Sequence, residues 1–386
     1  MPTLDELLRT QRTIVCVGSG GVGKTTTSAA LALRAARQGR KVLVLTVDPA
    51  RRLANSLGMR ELLKEETRVS PELFAEAGIP CTGELWAMML DTKSTFDGLI
   101  QRHAPDPVTR DRILSSPYYR QLSTALAGSQ EYMAMEKLYE IRGQGKYDLI
   151  ILDTPPTDHA LDFLDAPNRM EDLIGSASFR LMMQGARVAG RAGLGFLRFN
   201  TLILKGVGKF VGADTFLSIL DFLTSFGEMT TGFKERAAEV KKIFRSPGVS
   251  FVVLSGPDPY TIDEGLFFAR TLQAERMPLG AFVVNRVRKR FLPQDLPNDI
   301  EARVATAMLD VQALQIHSEQ IVRRISQKLV SAWRNHRTLV GADAAQVERL
   351  RAALGSPTLV HTVPYFPHDV HDIGGLHTFE THLMSA

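Results

Sequence analysis

Eight residues near the start of the chain, Gly18-Ser19-Gly20-Gly21-Val22-Gly23-Lys24-Thr25, have the types and spacing needed to hold a polyphosphate. Phosphate oxygens need several donors converging on one point. Glycines let backbone N–H groups turn inward where side chains would block close approach. A following helix adds its unpaired N–H groups and the positive end of its dipole. Lys24 can then reach the β- and γ-phosphates, and the Thr25 hydroxyl can ligate magnesium. Gly20, Gly21, Val22, Gly23, Lys24, Thr25 and Thr26 are therefore the expected nucleotide-binding residues. The bland alternative is a glycine-rich structural turn. The flanking elements weigh against it, because Thr13 to Val17 is an apolar, β-branched run of strand length and the alanine-rich stretch from Lys24 to Gln38 reads as a helix stopped by Gly39.

Such a site also needs carboxylates for magnesium and for water. Parallel strands bring their carboxyl ends to one edge, where ligands bind. Lys41 to Val47 reads as a buried strand ending at Asp48-Pro49, and Asp148 to Leu152 as another ending at Asp153. Taken alone, either aspartate is more simply a helix cap or turn residue; beside the glycine-rich loop, the magnesium-site reading is preferred. Leu85 to Leu90, Val249 to Leu254, Ala281 to Val284 and Thr358 to Val363 supply further strands. Near-continuous apolar strands separated by helices indicate an α/β fold with a mostly parallel sheet covered on both faces.

Two stretches break that rhythm. Residues 93–146 are mostly helical, and residues 168–246 hold no convincing strand but many apolar side chains, among them Met182, Met183, Phe196, Phe210 and Phe216. The latter reads as a helical subdomain inserted between a first core segment, 1–167, and a second, 247–386. Residues 298–338 form a further helical region.

The bulk composition excludes several classes. A net charge of +4 is too slight to argue for nucleic acid, and the basic cluster Arg286, Arg288, Lys289, Arg290 reads as a solvated face. Two cysteines, Cys16 and Cys81, cannot form a disulfide framework or a cysteine-rich metal site. No segment offers the ~20 consecutive apolar residues that cross a bilayer, and acidic residues stand where a signal peptide would be apolar. A cytoplasmic protein is expected.

The assembled residues resemble the ArsA family, which includes the arsenite-efflux ATPase and the ATPase that delivers tail-anchored membrane proteins, within the deviant P-loop class shared with MinD, ParA and the nitrogenase iron protein. The resemblance rests on the phosphate loop, on a first switch Asp48-Pro49-Ala50-Arg51-Arg52-Leu53, on a second switch Asp153-Thr154-Pro155-Pro156-Thr157-Asp158-His159, on Val283-Val284-Asn285 and on Val363-Pro364-Tyr365-Phe366-Pro367. It implies that Asp48 positions the attacking water and that Thr25 holds magnesium, with Asp153 contacting it through water. It implies that Asn285 hydrogen-bonds adenine, that the segment at Pro364 walls the base, and that Asp258 lies near the nucleotide. Asn285 as a strand-end turn residue is the alternative. The absence of an Asn-Lys-x-Asp string independently favours ATP over GTP.

Departures from the family pattern shape the functional expectation. Serine occupies position 19, where the deviant loop normally carries lysine, and Arg51 stands in place of a histidine. Arg51 or Arg52, the nearest cations in the first switch, is a candidate replacement for the missing positive charge; the alternative is that both simply pair with acidic surface groups. Without clustered cysteines, neither the arsenite site nor a Cys-x-x-Cys zinc clamp is supported. The expected function is a magnesium-dependent ATPase, as a homodimer, whose nucleotide state opens or closes a surface for an apolar client such as a membrane-protein segment, with indirect membrane association. An anion-efflux energiser and a MinD- or ParA-like positioning ATPase are the alternatives.

Overall fold

The computed structural model describes residues 3–48, 52–60, 64–119, 129–155, 222, 238–291, 297–310, 318–355 and 358–385. The inserted segment read from the sequence at 168–246 lies outside the described residues apart from Phe222 and 238–246.

Eight strands form one sheet: β1 (Thr13–Gly18), β2 (Lys41–Thr46), β3 (Thr67–Arg68), β4 (Glu84–Met89), β5 (Leu149–Asp153), β6 (Val249–Ser255), β7 (Leu279–Val287) and β8 (Leu359–Pro364). Their order is β3-β4-β2-β5-β1-β6-β7-β8. Every pairing is parallel except β3 with β4. β3 is a two-residue edge strand, too short to show any periodicity in the sequence.

Alternation along the strands builds two cores. Val15, Leu43, Ile150 and Val253 face one cluster, and their chain neighbours Ile14, Val42, Ile151 and Val252 face the other. The first layer is closed by Phe96 and Leu99 of the helix Thr92–His103, by Leu138 and Ile141 of Ser129–Gln144, and by Ile262, Leu266 and Phe268 of Pro259–Ala274. The second is closed by the helices Leu4–Thr10, Lys24–Arg37 and Ile373–Met384. Side chains on both faces explain why the strands read as unbroken apolar runs. Five buried alanines of Lys24–Arg37 (Ala29, Ala30, Ala32, Ala35 and Ala36) let that helix lie close to the sheet and to the C-terminal helix.

Two elements depart from the sequence reading. The helical region expected to end near 338 continues as one helix, Glu319–Leu354. Gly341 disguised the continuation, while Val340, Val347 and Leu350 keep the buried face going beyond it. The segment Ile373–Met384, for which the sequence reading gives no element beyond the strand Thr358 to Val363, is a docked helix with Leu376, Phe379 and Leu383 buried. Its Glu380 is buried and accepts from Arg37 Nη1 at 2.8 Å. Among the described residues no helix is long and apolar enough to cross a membrane.

Candidate functional site

The sheet order sets the site. β2 and β6 lie on opposite sides of the β1–β5 pair, so the chain reverses its direction of travel across the sheet beside β1. The strand register places the carboxyl ends together: Cys16 of β1 and Thr46 of β2 both stand level with Asp153 of β5. A crevice outside the strand ends at such a reversal is where α/β sheets bind ligands.

The loop between β1 and Lys24–Arg37 occupies that crevice. Gly23 caps the helix at φ 96°, and a Cβ there would lie 2.2 Å from Asn285 Nδ2. Gly21 at φ 75° has open space around it, so its requirement is conformational rather than steric. Asn285 fastens the loop: its Nδ2 donates to the Val22 carbonyl at 2.9 Å, and its Oδ1 accepts from Arg286 N–H at 2.9 Å. Lys24 is 6% exposed, and its ammonium donates to the Gly18 and Ser19 carbonyls, both at 2.8 Å. Burial holds its pKa below the usual lysine value, although the Asp153 and Asp48 carboxylates pull it back up.

Asp153 is fully buried. Its Oδ2 accepts from the Thr25 and Thr46 hydroxyls, both at 2.8 Å, while Oδ1 has no hydrogen-bond partner. Burial pushes its pKa up to about 6, against the lowering effect of the two hydroxyls and of Lys24. A buried carboxylate with one orphaned oxygen beside a threonine hydroxyl is a donor set that suits a hard divalent cation, which takes oxygen ligands and keeps several waters. Thr154 fixes the start of the second switch, its hydroxyl donating to the Cys16 carbonyl at 2.8 Å. Pro156, Thr157, Asp158 and His159 lie outside the described residues.

Two adjoining cavities run along the crevice. One, of about 440 Å³, is lined by Gly21, Lys24, Thr25, Asp48, Arg52 and Thr154 among others. The second, of about 700 Å³, is lined by Asn285, Pro364, Tyr365, Phe366 and Phe379 among others. The first gathers the phosphate-side residues, and the second is walled by aromatic and proline surface of the kind a base packs against. Phe366 is supported from behind by Phe379, with ring centroids 5.7 Å apart. The structure therefore brings Thr25, Lys24, Asp48 and Arg52 together and puts Asn285 and Pro364 on the neighbouring cavity. Gly20 is exposed at the tip of the loop and lines neither. Asp258 lines neither as well. It caps the helix Pro259–Ala274 by accepting from Thr261 N–H at 3.0 Å, and despite partial burial those Thr261 hydrogen bonds hold its carboxyl below the usual range.

A family model described as an anion-transporting ATPase matches residues 11–315. The chain belongs to the ArsA ATPase family. Similar ArsA-type relatives include an "ATPase GET3" from Malassezia globosa, 30% identical over 44% of this chain and 47% of that protein. An "ATPase ASNA1 homolog" from Cryptosporidium parvum is 27% identical over 77% of this chain and 70% of its own length. An "ATPase ASNA1 homolog 1" from Paramecium tetraurelia is 34% identical over 44% and 48%. The matched region thus spans about half the length of the Malassezia and Paramecium relatives.

Against the ArsA pattern, the structure shows what Ser19 does in place of lysine. Its hydroxyl donates to the Glu264 carboxylate, on the helix that Asp258 caps. Glu264 was not singled out in the sequence, where nothing in its spacing ties it to the loop. Of the two arginines of the ArsA first switch, Arg51 lies outside the described residues. Arg52 lines the phosphate-side cavity, its side chain 64% exposed and its guanidinium 3.7 Å from an Asp48 carboxylate oxygen. With the Arg52 side largely in water, a contact at that distance contributes little to stability, so the guanidinium can exchange its partner at small cost. If a switch arginine stabilises transferring phosphate, single-turnover hydrolysis falls about tenfold or more in Arg52→Ala or Arg51→Ala, with ATP affinity changed less. Normal rates in both variants would remove the arginines from the chemistry.

Proposed function

We propose that the protein is a magnesium-dependent ATPase that works as a nucleotide-driven switch. The observation that carries this reading is the meeting of the Lys24 ammonium, the Thr25 hydroxyl and the half-satisfied Asp153 carboxylate at the carboxyl edge of the sheet. Thr25 and Asp153 would hold magnesium, whose role is to neutralise charge on the bound phosphates. Lys24 would exchange the Gly18 and Ser19 carbonyls for phosphate oxygens. Asp48, on the wall of the same cavity, would orient the attacking water and take its proton. Asn285 and the Pro364 segment would receive adenine.

The switch reading further holds that two copies of the chain close on one another with ATP and that the segment 168–246 offers an apolar client, such as a membrane-protein segment, a place to bind. Support for it comes from ArsA-family membership and from the apolar content of that segment. Hydrogen exchange of the whole protein tests both layers. Protection of the loop around Lys24 by an ATP analogue should require magnesium and vanish with a chelator. Exchange across 168–246 should change with nucleotide. Unaltered loop exchange would sink the nucleotide site, and unaltered exchange across 168–246 alone would sink the client switch.

The family description as anion-transporting raises an efflux role as a second reading. An arsenite site built on thiolates finds no support. Burial in β1 pushes the Cys16 thiol up to about 12, and burial also raises Cys81 in the loop before β4. Among the described residues no group of three or more His, Cys, Asp or Glu could hold a metal. The helix Ile373–Met384 does not itself serve as a MinD-like membrane anchor, because it spends its apolar face on the helix Lys24–Arg37.

A further inference from the structure

Arg286 opens the basic run that the sequence presents as a solvated face, but the structure separates it from that run. Arg288 is tied to Asp343, its Nη1 2.8 Å from Oδ1. Arg286 instead lines both cavities of the crevice. Of the residues common to the two, which are Gly23, Thr26, Arg286, Asp369, Val370 and His371, it is the only arginine or lysine.

Its backbone is built for that position. Among the described residues only two other than glycine have positive φ, Arg276 at 57° and Arg286 at 63°. Arg276 follows the end of the helix Pro259–Ala274, where a left-handed residue is ordinary. Arg286 sits in a strand. The β7–β8 register shifts between Val284 and Val287, so Asn285 and Arg286 form a bulge at the carboxyl edge of the sheet. Bulges re-aim side chains beside functional sites, and a strained conformation persists only where its surroundings over-determine it. Here Asn285 does so, joined by one hydrogen bond to Arg286 N–H and by another to the Val22 carbonyl of the phosphate loop. The guanidinium itself has no hydrogen-bond or ion-pair partner among the described residues.

We propose that Arg286 is the cation that grips the α-phosphate of the bound nucleotide. The inference rests on the nucleotide reading of the site. A nucleotide whose base lies in the larger cavity and whose terminal phosphates lie beside Lys24 must pass its α-phosphate through the junction, beside Gly23 and Thr26. Lys24 serves the β- and γ-phosphates, which leaves the α-phosphate without a counter-charge unless Arg286 supplies one. A guanidinium matches phosphate oxygens in a two-point fork, and its lack of partners among the described residues leaves that fork available.

Calorimetric affinities for ATP, ADP and adenosine, measured on the full chain and on Arg286→Gly and Arg286→Lys, test this. Glycine accepts the positive φ, so Arg286→Gly removes the side chain without disturbing the bulge, and its melting temperature without nucleotide should be no lower than that of the parent. ATP and ADP should both lose affinity roughly tenfold in Arg286→Gly, by the same factor, since both carry the α-phosphate. Adenosine should bind unchanged, and Arg286→Lys should recover part of the loss. Unchanged ADP affinity would overturn the proposal. So would a loss confined to ATP, which places the charge on the γ-phosphate, or an equal loss for adenosine, which reduces Arg286 to a support for the base. If the parent chain binds neither ATP nor ADP, the nucleotide reading itself fails, a result distinct from all of these.

Discussion

Single-turnover ATP hydrolysis by Asp48→Asn should fall by about 10²-fold or more, with ATP affinity equal to or slightly better than that of the parent chain. Asp369 lines the phosphate-side cavity too, but the two strand-end carboxylates, Asp48 and Asp153, flank the phosphate loop, and their surroundings divide the work. Asp153 is fully buried, has Oδ2 occupied by two hydroxyls and has its pKa pushed up to about 6. Its place is beside the Thr25 hydroxyl, where a cation would lie. Asp48 follows the end of β2 and lines the cavity itself, with its side chain 15% exposed and its N–H donating to the Thr46 hydroxyl at 3.2 Å. Of the two strand-end carboxylates, it is the one that a water in that cavity can reach. Asparagine keeps the size and one oxygen but cannot take a proton, so the chemical step suffers. Binding should not suffer, because removing a negative charge near phosphates relieves repulsion. The 3.7 Å contact to the exposed Arg52 contributes little to stability, and asparagine fills the same volume, so folding should be preserved. Rapid-quench measurement with enzyme in excess separates the step from product release. A rate equal to the parent's would move the water-orienting role to another residue, and a loss of affinity matching the loss of rate would make Asp48 a binding residue.

Much of this architecture was legible because its signals are local. The phosphate loop, the strands that flank it and the two strand-end aspartates each announce themselves within a few residues, and parallel pairing then forces Asp48 and Asp153 to one edge. Burial on both faces made the strands long apolar runs that periodicity could find. What escaped was set by contacts distant in sequence. Glu264 meets Ser19 across 245 residues, and no spacing rule links them. Arg286 looked like part of a basic surface run because the bulge that turns it toward the crevice depends on the register of β8, more than seventy residues later. Asn285 was expected to read adenine. The structure spends both ends of its amide on backbone groups, holding the loop from behind while its side chain still borders the base-side cavity. The length of Glu319–Leu354 was hidden by one glycine whose cost in a helix is repaid by burial on either side of it.

Lys24→Ala should weaken ATP binding by at least about 100-fold, the largest loss in affinity expected from a single substitution in this site. The ammonium is 6% exposed and donates to the Gly18 and Ser19 carbonyls. Those carbonyls belong to the loop whose N–H groups are expected to cradle the phosphates, so Lys24 both shapes the cradle and supplies its charge. A charge-assisted hydrogen bond contributes about 1.5–3 kcal/mol, and contacts to two phosphates therefore amount to roughly 3 kcal/mol or more, which is a factor of at least about 100 in affinity. The same substitution has opposing effects on the empty protein. Two loop carbonyls lose a donor, but a buried charge is also removed, one whose pKa burial already holds below the usual lysine value. These terms offset each other, so the melting temperature without ATP should change little while the stabilisation on adding ATP with magnesium largely disappears. Calorimetric titration alongside thermal melting reads both quantities on the same preparation. Affinity that survives intact would show that the lysine of this loop does not touch phosphate. A protein that unfolds before ATP is added would show that Lys24 holds the loop more than it holds the nucleotide.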